Sequence, residues 1–453
     1  MKTTLTVREH ARLTTGHVAA PSLDRAQVSS SAFTWLCQTS SAFRASGAAL
    51  VQVEDRQWLR LDNYVGVIET PCGTRIEILP KHLGGPDNAA ASRKLLRRMI
   101  GAAMDLPVRP VNETALQTFD APLSEWVMGQ FLSALNHLIK RGVRSDYVRV
   151  DSAERYLRGQ LDPSRQVRQP PGRQHIFQIH HDVFVPDRPE NRLLRRALEH
   201  VARVAQTPAN WRLAQELRSL LHEIPVSTNV DADLRAWRDD RLMAHYRPVR
   251  PWCELVLYRQ MPYSLVGQWH GISLLFPMEK LYERYVAAWL RRHLVPGAIL
   301  RAPAASEFLC VHQGAPMFRL EPDLLVEHEG RRWVLDTKWK RLDATDHANK
   351  YGISQADLYQ LFAYGMNYLG PNGGDLALIF PLCDRFQESL PAFDYGHGLR
   401  LRILPFNLDA EVLIDVESTG LPVSQRTTRS PQADMTNVKG LATFVARPQA
   451  PLP

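Results

Sequence analysis

The stretch FRLEPDLLVEHEGRRWVLDTKWK, residues 318–340, constrains the fold of this chain more than any other. Apolar and polar residues alternate on both sides of His328-Glu329-Gly330, the pattern of a hairpin, with Pro322 at the start of one strand. Asp323, Asp336 and Lys338 stand where apolar side chains would serve a core better. Period two puts Asp336 and Lys338 on one face and Leu335, Thr337 and Trp339 on the other. Carboxylates converging on a point are costly unless a hard cation compensates them, and oxygen ligands suit Mg²⁺. Such an ion polarises a scissile phosphate and acidifies a bound water. Lys338 would neutralise developing charge or orient that water first, and act as general base second. The competing reading is a solvent-facing hairpin with an incidental Asp–Lys pair, since this spacing arises easily by chance.

The flanking segments place the hairpin in an α/β layer. A helix is expected over MEKLYERYVAAWLRRHL (278–294), then the hairpin, a connection DATDHANKYGI, a helix over SQADLYQLFAYGMNYL (354–369) and a buried strand DLALIFPL. Ser354 followed by Asp357 has the form of a capping box, which accounts for Asp357 without chemistry. Gln360 and Tyr364 share a helical face and would hold a water or a phosphate oxygen if turned to the hairpin; such residues are more often half-exposed. Glu283, in LYERYV, is an ordinary solvated glutamate unless directed at the strands, where it would complete a metal shell.

Upstream, residues 1–85 read as a small β domain with strands in LTVRE, VQVED, WLRLDN and YVGVIETPCGTRIEILP, the last with a turn at Pro71–Gly73. Helical periodicity takes over from 86 to 250, in AASRKLLRRMIGAAM, SEWVMGQFLSALNHLIKRG with Gly142 as C-cap, RPENRLLRRALEHVARVA, NWRLAQELRSLLHEI and DADLRAWRDDRLMAHY. Within it, DPSRQVRQPPGRQ (162–174) reads as an exposed basic loop. The main boundary falls near 250, the unit with the hairpin runs from 251 to 416, and 417–453 reads as a weakly ordered tail.

A net charge of +8 favours a polyanionic partner without requiring one. MKTTLTVREHARL lacks the apolar core of a signal peptide and LALIFPLC is too short to span a bilayer, so a cytoplasmic location is expected. The five cysteines contain no CxxC pair and read as buried thiols. His175, His180, His181 and Asp182 alternate poorly toward one point and read as surface residues rather than a metal site. Trp35, Trp58, Trp126 and Trp252 read as core residues rather than base-stacking platforms.

The ordered set YVGVI, IEILPK, FLSALNHLIKRGVRSDYV, ENRLLRRAL, FPMEKLYERYV, FRLEPDLLV, VLDTKWK and ADLYQLFAY resembles the McrC family, from the first strand to about residue 416. The resemblance implies a carboxyl-terminal PD-(D/E)xK restriction-endonuclease-like α/β domain, preceded by an amino-terminal β domain and a helical middle region. It implies Asp323, Asp336 and Lys338 as central residues, the Thr337 carbonyl as a metal ligand, Glu283 as the helix glutamate, and Gln360 with Tyr364 as the QxxxY element. The loop at 161–181 and the carboxyl tail depart from the family pattern.

No GxxxxGK[ST] occurs in the chain, so a second polypeptide must supply nucleotide-driven movement by the usual phosphate loop. By resemblance that partner is a McrB-like, GTP-hydrolysing AAA+ ring. The amino part of the chain would dock on it and stimulate its hydrolysis, with Tyr64, Arg75 and Lys81 as candidate contacts, although a satisfied sheet surface fits them better. The implied activity is Mg²⁺-dependent endonuclease cleavage of double-stranded DNA containing modified cytosine. The competitors are a RecB-like repair nuclease acting from DNA ends and a non-cutting scaffold that regulates an AAA+ ring.

Overall fold

The computed structural model describes residues 4–44, 50–55, 57–81, 88–107, 122–258, 274–370 and 373–424. The expected hairpin forms from Leu324–His328 and Arg331–Thr337, paired antiparallel with Leu324 opposite Leu335. Glu329 and Gly330 join them with φ of 47° and 76°, the paired positive values of a turn whose twist matches that of the flanking strands.

The hairpin lies inside a seven-stranded mixed sheet. Ile299–Arg301 flanks it at one edge, while Gly374–Pro381 and Leu399–Asn407 continue from Arg331–Thr337 in parallel. Leu390–Gly396 closes the far edge. The central strand Gly374–Pro381 is buried almost throughout, as its unbroken apolar run requires when both sheet faces are covered.

One cover is the helix Gln355–Tyr368. Ser354 caps it by accepting from the Asp357 N–H, and Leu361, Tyr364, Gly365 and Tyr368 form the buried stripe. Gly365 permits the close approach, because a Cβ there would lie 3.0–3.1 Å from the side chains of Leu399 and Leu376. The other is the helix Met278–His293, which buries Leu281, Tyr282, Tyr285, Val286, Trp289 and Leu290 and packs against both the sheet and the helix Ala89–Ala103. Arg291, Arg292 and His293 in its last turn complement the negative end of the helix dipole.

The amino-terminal region holds the expected strands, divided between two four-stranded sheets, together with a helix at Ser30–Arg44 that the strand-rich reading had not anticipated. One sheet runs Thr4–Arg8, Arg75–Leu79, Tyr64–Glu69 and finally Leu274–Pro277. That last strand follows the expected boundary at 250 yet is an edge of the amino-terminal sheet, so the two regions share a sheet and a continuous apolar core. Gly66 makes the pairing feasible: at φ 130°, a Cβ there would fall 1.8 Å from the Leu274 carbonyl oxygen.

The middle region contains the expected helices, with DADLRAWRDDRLMAHY broken into Val230–Ala236 and a 3₁₀ turn at Arg241–Tyr246. It also contains a three-stranded sheet built on the long antiparallel pair Asp146–Glu154 and Phe177–Val185. The stretch read as an exposed basic loop connects its strands Gln160–Leu161 and Phe177–Val185 and is mostly exposed, but it is ordered locally: Asp162 caps a short helix Pro163–Val167, and Arg165 pairs with Asp151 at 2.9 Å. At the carboxyl end the expected weak order does not begin at 417. Val416–Thr419 forms a 3₁₀ turn and Val423 bridges Leu294, while 425–453 and the GQWHGI segment lie outside the described residues.

Among the described residues no helix is long and apolar enough to cross a membrane. The cysteines are all unpaired; Cys253 and Cys383 are buried as expected, whereas Cys72 and Cys310 are exposed. Trp126 and Trp252 meet edge to face at 5.4 Å in the core.

Candidate active site

The hairpin register carries Asp323 opposite Asp336, one step past the last paired residues. Asp323 Oδ2 accepts from both the backbone N–H and the hydroxyl of Thr337, each at 2.9 Å, which pins the first carboxylate to the strand carrying the second. Asp336 is 2% exposed, with Lys338 Nζ at 2.5 Å from its Oδ2. That oxygen has the ion pair but no bond of hydrogen-bonding geometry.

Asp357 is drawn into the same cluster. Its backbone N–H is capped as expected, but its carboxylate does not reach back to Ser354; it lies 3.9 Å from Lys338 Nζ and 3.5 Å from Lys340 Nζ. It is 8% exposed, and its Oδ2 also lacks a hydrogen bond. The cap motif had concealed this second role. Lys280, likewise unremarked in the sequence, bonds Glu283 Oε2 at 2.6 Å and is thereby the counter-charge of the helix glutamate.

Gln360 and Tyr364 do face the hairpin, but they are engaged there. Gln360 Nε2 donates to the Tyr364 hydroxyl at 2.7 Å, which donates in turn to the Glu321 carbonyl at 3.1 Å. Together they brace the chain immediately before Pro322-Asp323 instead of offering free groups to a phosphate.

The electrostatics tie these residues together. Burial, reinforced by the charge of Asp323, pushes the Asp336 carboxyl up to about 7, against the opposing pull of Lys338. Burial and then Asp323 also raise Glu283, with Lys280 opposing. For Lys338 burial pulls downward, but Asp336, Asp323 and Asp357 outweigh it and the ammonium is held protonated more firmly than usual. Burial raises Tyr364, and the charges of Asp336 and Asp323 add to it.

The donor set fits a hard divalent cation in kind: carboxylate oxygens, one of them buried without a hydrogen bond on Asp336, crowded enough to resist ionisation. As the side chains stand, no group of three His, Cys, Asp or Glu among the described residues is placed to hold an ion. Asp323 is committed to Thr337 and Glu283 to Lys280, so lysines supply the counter-charge that an ion would provide.

The other marked residues are satisfied elsewhere. His180 pairs with Asp151 and lies 3.3 Å from Asp162, within the middle sheet. Tyr64 and Arg75, candidate partner contacts, are buried; Arg75 lies between Glu69 at 3.2 Å and Glu125 at 3.9 Å, a core ion pair and not a docking surface.

Comparison with known proteins places the chain. The family model described as a McrBC 5-methylcytosine restriction system component matches residues 59–381, which include every residue of the cluster just described. Among solved structures, a chain of the Thermococcus gammatolerans tetradecameric assembly of McrB AAA+ hexamers with bound McrC is similar with a TM-score of 0.67. That match has 20% identity and covers 89% of this chain and 95% of that one. A chain of the Thermococcus gammatolerans McrBC complex gives a TM-score of 0.51 at 21% identity, covering 64% of this chain and 88% of that one. At these identities the likeness is one of fold. No curated protein matches. Because the family match spans well over half of its length, the chain belongs to the family of McrBC 5-methylcytosine restriction system components.

Proposed function

We propose that this chain is the nuclease subunit of a McrBC-like restriction complex, a Mg²⁺-dependent endonuclease of the PD-(D/E)xK kind that hydrolyses DNA containing modified cytosine and works with a GTP-hydrolysing AAA+ ring. The observation that carries the reading is Asp336: a nearly fully buried carboxylate beside Asp323, with an ammonium at 2.5 Å and its Oδ2 without a hydrogen bond. A core has no use for such a group, whereas a phosphoryl-transfer site does. The family match and the likeness to chains of McrBC assemblies support the partner.

Asp323, Asp336, Glu283 and the Thr337 carbonyl are the oxygens that would hold Mg²⁺. When bound, the ion supplies Lewis-acid polarisation of the scissile phosphate and a more acidic water. Thr337 keeps Asp323 oriented through its paired donors. Lys338 presents positive charge where the phosphate oxygens gain negative charge, a preorganised contribution needing no proton transfer. Gln360 and Tyr364 hold the Glu321 carbonyl and thus the approach of Asp323 to the strand.

The test is reconstitution with the AAA+ partner, GTP and Mg²⁺ on closed circular DNA with and without 5-methylcytosine. The modified circle should be cut, Asp336→Ala should abolish cutting, and stimulation of the partner's GTP hydrolysis should survive that substitution. Cutting confined to linear ends would favour a repair nuclease. No cutting by the unaltered protein would leave only the scaffold role.

A further inference from the structure

Lys338 is followed directly by Trp339, which packs against two of the three apolar cores of the described residues and so stands where those two meet. Its ring lies 5.3 Å from that of Tyr282, the residue before Glu283. Trp339 therefore adjoins the lysine through the chain and packs on the residue that precedes the helix glutamate. Its indole N–H donates to Glu9, at 3.0 Å to Oε1 and 3.2 Å to Oε2.

Glu9 belongs to the amino-terminal sheet. It continues the pairing of Thr4–Arg8 by donating its own N–H to the Leu79 carbonyl at 2.9 Å, and its Oε1 accepts from the Lys81 N–H at 2.8 Å. The residue is 1% exposed. A buried carboxylate is expensive, and a core would be served better by an apolar residue; this one joins the ends of two strands to an indole 330 positions away. The same sheet reaches the site by a second route. Its edge strand Leu274–Pro277 runs straight into the helix bearing Glu283, and the Met278 N–H is anchored to the Asn63 carbonyl at 3.0 Å.

We propose that Glu9 is a positioning residue for the nuclease site, fixing Lys338 and the Glu283 helix to the amino-terminal sheet through Trp339. A displacement of that sheet is then felt at the lysine and at the glutamate together. The inference rests on the nuclease reading for its functional consequence, and on the hydrogen bond alone for its structural one.

The experiment uses the full chain reconstituted with its AAA+ partner and compares Glu9→Ala, Glu9→Gln and Trp339→Phe, the last keeping a ring while losing the N–H. Glu9→Ala and Trp339→Phe should lower cleavage of modified closed circular DNA about 10- to 100-fold, the scale on which small misplacements of reacting groups act. Glu9→Gln, whose amide oxygen still accepts, should recover most of it. The double variant should be no worse than either single one, because both remove the same link. Stimulation of partner GTP hydrolysis should stay within about two-fold of normal, since Glu9 is buried and its replacement leaves the exposed surface of the amino-terminal sheet unaltered. Amide hydrogen exchange, which requires no activity, should quicken at residues 336–341 in Glu9→Ala and stay unchanged in the helix Gln355–Tyr368. Unchanged exchange and cleavage in both single variants would overturn the inference, as would a parallel loss of cleavage and GTPase stimulation. Faster exchange at 336–341 in a protein whose unaltered form cuts no DNA would sink the nuclease reading while upholding the structural link.

Discussion

Replacing Asp336 by Asn should stabilise the metal-free protein above neutral pH. The folded-state carboxyl sits at about 7 against a reference of 3.8, because burial and the neighbouring Asp323 disfavour its charge. Between those two values the folded chain binds a proton that the unfolded chain has released. The group's contribution is thus fully present below about pH 4 and is lost as pH rises through about 7. A shift of about 3 units corresponds to about 4 kcal/mol at pH 8. Lys338, at 2.5 Å from Asp336 and 3.9 Å from Asp357, already pulls the Asp336 carboxyl down, so its attraction is contained in that figure. A gain of about 4 kcal/mol is expected at pH 8, falling to about 1 kcal/mol at pH 4.5. The assay is urea unfolding of both proteins in a chelator across pH 4.5–8.5, plotting their difference in stability. It should climb by up to about 1.4 kcal/mol per pH unit between the two pKa values and then level off. A difference constant across the range, or a variant less stable at pH 8, would refute the view that Asp336 is held against its own ionisation.

Tyr364→Phe removes the donor to the Glu321 carbonyl and the acceptor for Gln360; about 1–2 kcal/mol of stability and about ten-fold in cleavage should be lost, measured by unfolding and by plasmid nicking. Gly66→Ala places a Cβ against the Leu274 carbonyl at a backbone angle suited to glycine, so thermal unfolding should show a loss of about 2 kcal/mol or more. Hydrogen exchange should report Leu274–Pro277 detaching. Glu125→Ala strips acceptors from the Gln206 N–H, the Thr207 hydroxyl and the Asn210 amide, and leaves buried Arg75 with less counter-charge. It should cost about 3–5 kcal/mol by the same measurement, and normal stability would show that this network is dispensable.

Local signals in the chain determined a good deal. Alternation about Glu329-Gly330, the serine before the helix Gln355–Tyr368 and the apolar stripe of Met278–His293 each act over a few residues, so the hairpin and its covering helices were legible. So was the proximity of Asp323, Asp336 and Lys338, which the hairpin register brings together at the ends of its two strands. The sheet at Asp146–Val185 was not: Asp146–Glu154 is largely exposed on both faces and Phe177–Val185 mostly half-buried, so there is little burial to imprint a pattern, and the breakers between them imitate a loop.

Only the tertiary structure decided what surrounds those side chains. Pairing of Leu274–Pro277 with Tyr64–Glu69 and the reach of Trp339 to Glu9 join residues hundreds of positions apart, and no local periodicity encodes them. The cap motif explained the Asp357 backbone but was blind to the carboxylate turned toward Lys338 and Lys340. Sequence supplies the acids and bases, but the reluctance of Asp336 to ionise comes from the protein that shuts out water around it.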